Sequence, residues 1–156
     1  AQTIYIFKLK LDANMENILK VAILVVSSIG VAHTFAKPVE TPIVFKKGTY
    51  GTKIKGNFKG YNDARYTVRA QRGQILKFNI LSTRDLAYVN VYAPGDKPGE
   101  AEAIYIGSTS ADSTGEIILP ETGVYTIQVY QMRNSARLGR AVEFNLDLKI
   151  LNNIKN

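Results

Sequence analysis

"LPETGVYTIQVYQM", residues 119–132, holds a turn and a strand in one continuous stretch. Pro120 fixes φ where the chain enters the turn, and Gly123 is free to take a positive φ where it leaves. From Val124 to Met132 the run then alternates with a period of two and is rich in β-branched and aromatic residues. That pattern is the signature of a half-buried strand rather than a helix. Tyr125 falls at the corner between turn and strand. A tyrosine there can bond its hydroxyl to backbone a few residues upstream, the arrangement called a tyrosine corner. Thr122 sits at the tip of the same turn, where its hydroxyl serves either a local turn bond or an outside partner.

The same reading extends in both directions. "PIVFK" (42–46), "TKIKGNF" (52–58), "RYTVRA" (65–70), "ILKFNIL" (75–81), "AYVNVYA" (87–93), "AIYIG" (103–107), "GEIIL" (115–119) and "VEFNLDLKIL" (142–151) are all short alternating or apolar runs. Turn residues separate them: "KKG", "KGYND", "QRGQ" and the Pro/Gly loop "PGDKPGE". In 65–70 the alternation sends Tyr66, Val68 and Ala70 inward, and in 75–81 Leu76, Phe78 and Ile80 share a face. No helical period lasts longer than a turn, and there is no internal repeat. Many short strands at close spacing predict an all-β fold, an antiparallel β-sandwich of about eight or nine short strands. One domain covers roughly 41 to 151.

The N-terminal part has a different composition. Met15 is followed by Lys20, an uncharged run over 21–32, and small residues ending in "HTFA". A basic start, a short apolar core and a small-residue site predict a cleavable signal peptide over 15–36. Cleavage is expected before Lys37, with Ala32 as the competing site. The apolar run is shorter than the about 20 residues that a membrane-spanning helix needs. Residues 1–14 read as an upstream extension, and 37–156 as the exported domain, which points to the periplasm.

From Lys37 onward there are seventeen Lys and Arg against eleven Asp and Glu, a net charge of +6. A basic exported domain suits an acidic partner. There is no cysteine, and the only histidine is His33, in the segment expected to be removed. This excludes disulfides, Ser-His-Asp and Cys-His nucleophilic sites and the common zinc sites. Asp96, Glu100 and Glu102 lack the spacing of a calcium loop, and Asp63, Asp85 and Asp112 sit at turns without pairing. No acid, base or nucleophile can be given a role, so an enzyme is not expected, and neither is a cofactor or metal. The basic and aromatic residues around Tyr61, Arg65, Tyr66 and Arg69 alternate onto opposite faces, which disfavours nucleic acid as a target.

One pattern remains to be explained. In "VYQMRNSARLG" (129–139) a strand ends and Arg133 and Arg137 follow four apart. Two guanidinium groups so close repel one another. They are either solvated or placed for something acidic.

From about Ile43 to Ile150 the chain resembles the periplasmic inhibitors of goose-type (g-type) lysozyme. The stretches that carry the resemblance are "VFKKG" (44–48), "GNFKGYNDARYTVRAQRGQ" (56–74), "LPETGVYTIQV" (119–129) and "RNSAR" (133–137), the last leading into a final strand. The turns taken singly are common. The order, together with Arg-Asn-x-Ala-Arg, is specific. The resemblance implies an antiparallel β-sandwich that plugs the active-site cleft of a lysozyme. Carried over position by position, it implies Tyr61, Thr122, Arg133 and Arg137 as the residues facing the cleft. At position 122 the family pattern has Ser, so Thr122 keeps the hydroxyl and adds a methyl. The stretch from about Tyr92 to Thr114 matches poorly. The strands also look like the β-sandwich domains appended to secreted proteases. On that reading the chain is a glycan- or peptidoglycan-binding module using Tyr88, Tyr92 and Tyr105 as sugar platforms.

Overall fold

The computed structural model describes residues 38–110 and 112–153. The expected signal peptide and upstream extension lie outside the described residues.

Among the described residues nine strands follow in chain order: β1 (Glu40–Pro42), β2 (Gly51–Lys59), β3 (Ala64–Ala70), β4 (Ile75–Ser82), β5 (Ala87–Tyr92), β6 (Tyr105–Ile106), β7 (Thr114–Ile118), β8 (Gly123–Gln131) and β9 (Ala141–Leu151). They form two sheets, a five-stranded one in the order β1-β3-β8-β5-β6 and a four-stranded one in the order β2-β9-β4-β7. Period-two alternation fixes which face each sheet buries. In β8, Tyr125, Ile127 and Val129 are fully buried, and in β9, Val142, Phe144, Leu146, Leu148 and Ile150 are buried. Tyr66, Val68 and Ala70 point inward from β3, and Leu76, Phe78 and Ile80 from β4. Their side chains meet between the sheets in one hydrophobic core. Each large apolar side chain so buried contributes about 1.5–3 kcal/mol, which compensates for the absence of disulfides.

The tyrosine corner is present. Tyr125 is fully buried, donates its hydroxyl proton to Glu121 O at 2.6 Å and accepts from Glu121 N–H at 3.0 Å. Burial raises the Tyr125 phenol above its ordinary value, with smaller and opposing effects from Glu121.

Three details differ from the sequence reading. "PIVFK" is not a strand: pairing ends at Pro42, and Ile43 makes one further bond, N–H to Thr67 O at 2.8 Å. Residues 40–42 pair with β3 in parallel, whereas the other strand pairs are antiparallel. Ile43 and Phe45 are apolar because they pack against the core, not because they lie in a ladder. "AIYIG" shrinks to the two residues of β6, since Gly107 closes against the Val89 backbone, where a Cβ would collide. The "RNSAR" segment, read as a strand-end loop, is a one-turn helix, α1 (Arg133–Ala136).

Candidate functional site

Four connections cross from one sheet to the other at the same end of the sandwich, those between β2 and β3, β8 and β9, β4 and β5, and β6 and β7, and the first three lie at and beside α1. Residues 60–63 join β2 to β3, residues 83–86 join β4 to β5, and residues 132–140 join β8 to β9. In the four-stranded sheet β9 lies between β2 and β4, and in the five-stranded sheet β8 lies between β3 and β5. The β8–β9 connection therefore lies between the β2–β3 and β4–β5 connections, with the β6–β7 connection beyond the latter.

The β8–β9 connection carries α1. Arg133 opens the helix and Arg137 ends it, with Arg137 N–H donating to Arg133 O at 3.0 Å. One helical turn separates them, so their Cβ atoms lie about 5–6 Å apart on one face. Gly139, at φ 63°, reverses the chain after the helix in a conformation that costs glycine little. Both arginines are exposed. Three ion pairs exist among the described residues, Arg65–Asp63, Lys77–Glu116 and Lys97–Glu40, and none involves Arg133 or Arg137. Two like charges on adjacent positions, with no acid beside them, destabilise the free protein slightly.

The β2–β3 connection lies against α1. Gly60 has φ 60°, and a Cβ there would meet Ala136 O at 3.6 Å. Gly60 N–H donates to Arg140 O at 3.0 Å, and Asn62 N–H closes the turn on Lys59 O at 3.2 Å. Tyr61 stands at the tip with 71% of its surface exposed.

One buried side chain fastens the two connections together. Gln131 ends β8 in the inward phase and is 6% exposed. Its Nε2 donates to Gly60 O at 3.0 Å and to Arg140 O at 2.8 Å. Its Oε1 accepts from the Ser135 hydroxyl at 2.6 Å. A single amide thus holds the Tyr61 turn, the α1 turn and the start of β9. On the other flank a groove of about 450 Å3 is lined by Leu86, Tyr88, Met132 and Leu138, with Arg137 and Arg140 among its other lining residues. Leu138 and Met132 are 60% and 41% exposed. Exposed Tyr, Met and Leu among unpaired arginines have the composition of a protein-binding surface.

Thr122 is not part of this end. It precedes β8, whereas Arg133 follows it, and nine residues of strand at about 3.3 Å each place the two about 30 Å apart. Its hydroxyl accepts from Arg72 N–H at 3.0 Å and so ties the β7–β8 turn to the β3–β4 turn. The structure brings together Tyr61, Arg133 and Arg137 and separates Thr122 from them. Sequence reasoning missed Gln131, Arg140, Met132 and Leu138. The three tyrosines proposed as a sugar platform do not share a face. Tyr92 is buried with its hydroxyl on Gln128, Tyr105 packs edge-on against Phe78, and Tyr88 pairs with Tyr130. Among the described residues no group of His, Asp and Glu is arranged to hold a metal ion.

A curated relative in Escherichia coli K12, an inhibitor of g-type lysozyme, is 31% identical over 117 residues, 75% of this chain and 85% of the relative. The chain belongs to the family of periplasmic inhibitors of g-type lysozyme. Its fold agrees with the crystal structure of PliG from Aeromonas hydrophila, a periplasmic inhibitor of that enzyme class. The TM-score is 0.68 and the identity 41%, over 73% of this chain and 97% of that one. A PliG mutant from E. coli superposes with a TM-score of 0.56 at 25% identity, over 73% and 99% of the two chains. No protein-family model matches the chain. Members of this family are inhibitors, and the chain is not an enzyme.

Proposed function

We propose that this protein inhibits g-type lysozyme in the periplasm by seating the end formed by its three adjacent connections in the active-site cleft of the enzyme. The observation that carries this reading is the pair Arg133 and Arg137, exposed on one face of α1 without an acidic partner and beside the exposed Tyr61. Glycoside hydrolysis needs a carboxyl group held protonated as general acid. A guanidinium placed against that group stabilises its ionised form and lowers its pKa. The guanidinium fork also matches carboxylate geometry in two-point hydrogen bonding. Tyr61 supplies a rigid, amphipathic wedge, and Met132 and Leu138 supply apolar area around the charges. Inhibition then combines blockage of the cleft with capture of its acids, and no bond is made or broken.

Arg137→Ala tests this. Truncating one side of a desolvated charge pair costs about 2–5 kcal/mol, mostly in the off-rate, or roughly thirty- to several-thousand-fold in affinity. Arg133→Ala acts in the same direction, and the double variant is non-additive where both groups engage one acidic cluster. Lys149→Ala, on β9 outside the connection, is the charge-matched control and leaves affinity near wild type. Wild-type inhibition of a g-type lysozyme by a folded Arg137→Ala protein would refute the reading.

A further inference from the structure

We infer that Arg84, on the β4–β5 connection, is a further contact residue of the inhibitory end, held in a strained backbone to meet acidic groups on the rim of the lysozyme cleft. This rests on the docking end proposed above and extends it to the flank opposite Tyr61.

The first observation is position. The β4–β5 connection borders the β8–β9 connection on the side away from Tyr61, and its Leu86 lines the same groove as Arg137. Arg84 is exposed and enters none of the three ion pairs among the described residues.

The second is strain. Arg84 has φ 55° and ψ 26°, and Asp85 has φ 53°, and these are the only positive-φ residues other than glycine among the described residues. The left-handed region crowds the Cβ of an L-residue against its own backbone; Gly avoids that crowding, and Asn offsets it with a short side chain that hydrogen-bonds locally. A turn selected for stability alone would carry one of them.

The third is the clamp that maintains the strain. Ala87 N–H donates to Ser82 Oγ at 3.0 Å. Glu143 N–H donates to Thr83 Oγ1 at 3.2 Å, and Thr83 Oγ1 is 3.4 Å from Glu143 O. Leu86 N–H closes the turn on Thr83 O at 3.2 Å. Strained residues persist where the surroundings over-determine them, and such places cluster at functional sites. Arg84 is fixed from both sides by a clamp that its own side chain does not join. What the clamp presents is the guanidinium.

Stability and binding should therefore move in opposite directions in Arg84→Asn. Asn accepts the left-handed region, so the melting temperature rises by about 2–4 °C. Affinity for a g-type lysozyme falls roughly three- to tenfold, chiefly in the on-rate and with a shallower salt dependence, as for a rim charge. Asp85→Asn relieves the neighbouring strain without removing the cation. Asp already tolerates the left-handed region better than Arg, so this variant should gain a smaller melting increment and bind at least as fast as wild type. Arg84→Lys should keep most of the on-rate. Thermal melts and binding kinetics at low and high salt read all three. A more stable Arg84→Asn with unchanged kinetics overturns the inference, as does an unstrained Arg84 that melts lower when replaced. Arg137→Ala measured alongside separates the two readings. If it loses binding while Arg84→Asn does not, only the role of Arg84 falls. If neither loses binding, the docking end itself is wrong.

Discussion

Gln131→Leu replaces the amide that fastens two of the connections with an apolar group of similar size. The loss can be counted bond by bond. Gly60 O loses the donor at 3.0 Å, and Arg140 O loses the one at 2.8 Å but keeps Gly60 N–H. The Ser135 hydroxyl, itself buried, loses its acceptor at 2.6 Å. An orphaned buried group costs about 1–3 kcal/mol, and a hydrogen bond whose partner can re-pair costs about 1 kcal/mol. The sum is about 2–4 kcal/mol. At roughly 4 °C per kcal/mol for a domain of this length, the melting temperature should fall by about 8–16 °C. The binding effect is a separate quantity, because Gln131 faces inward and does not touch a partner. Freeing the Tyr61 turn and α1 adds ordering costs on association of about 0.5–1.5 kcal/mol per side chain. For Tyr61 and Arg137 that gives roughly a five- to hundredfold loss of affinity, measured well below the melting range. Hydrogen exchange of the free protein supplies an independent assay. The amides of Gly60, Arg137 and Gly139 should lose protection together in Gln131→Leu, and to a lesser degree in Ser135→Ala. If Gly60 exchanges as in wild type while the α1 amides open, the two connections are not coupled through this side chain and the reasoning fails.

Four further outcomes are expected. The on-rate for a g-type lysozyme should fall as salt rises, with a smaller change in off-rate, because exposed charges are screened beyond about 8 Å at physiological ionic strength; surface plasmon resonance at several salt concentrations checks this. Thr122→Ala should destabilise the turn by about 0.5–1.5 kcal/mol through the unpaired Arg72 N–H and leave inhibition within twofold of wild type, and a large loss of inhibition with the fold intact would place the docking end wrongly. Tyr125→Phe removes both hydrogen bonds to Glu121 and should cost about 1–2 kcal/mol in urea denaturation without altering lysozyme kinetics. Burial raises both Tyr66 and Tyr125 above their ordinary value of 10.0, so the unfolded chain ionises first. Stability should be constant below that pH and fall as pH climbs through the raised values in the fold, which denaturation midpoints across the alkaline range will show.

The fold was legible because alternation is a local signal with a global consequence. Once Tyr125, Ile127 and Val129 share a face, the sheet has an inside, and Tyr66, Val68 and Ala70 on the neighbouring strand must match it. The tyrosine corner was legible for the same reason, since the turn and the strand that define it are consecutive. Where the reading slipped, an apolar run carried no record of its partner: Ile43 and Phe45 look like a strand and serve only as packing. The site was legible in composition and not in arrangement. Arg133 and Arg137 are four apart in sequence, and one turn of helix makes them neighbours, so that pair could be read directly. Tyr61 joins them only through the order of strands in two sheets, and the resemblance alone named it. Thr122 shows the converse, a residue close to Arg133 in sequence that the intervening strand β8 carries about 30 Å away. Gln131 had a signal that went unused. Extending the inward phase of 125, 127 and 129 by one step lands on a glutamine, and a polar residue in a core position needs partners that a strand ladder does not supply. Those partners turned out to be the backbones of Gly60 and Arg140 and the hydroxyl of Ser135, so the polar residue out of place in the core marks where the binding end is anchored to it.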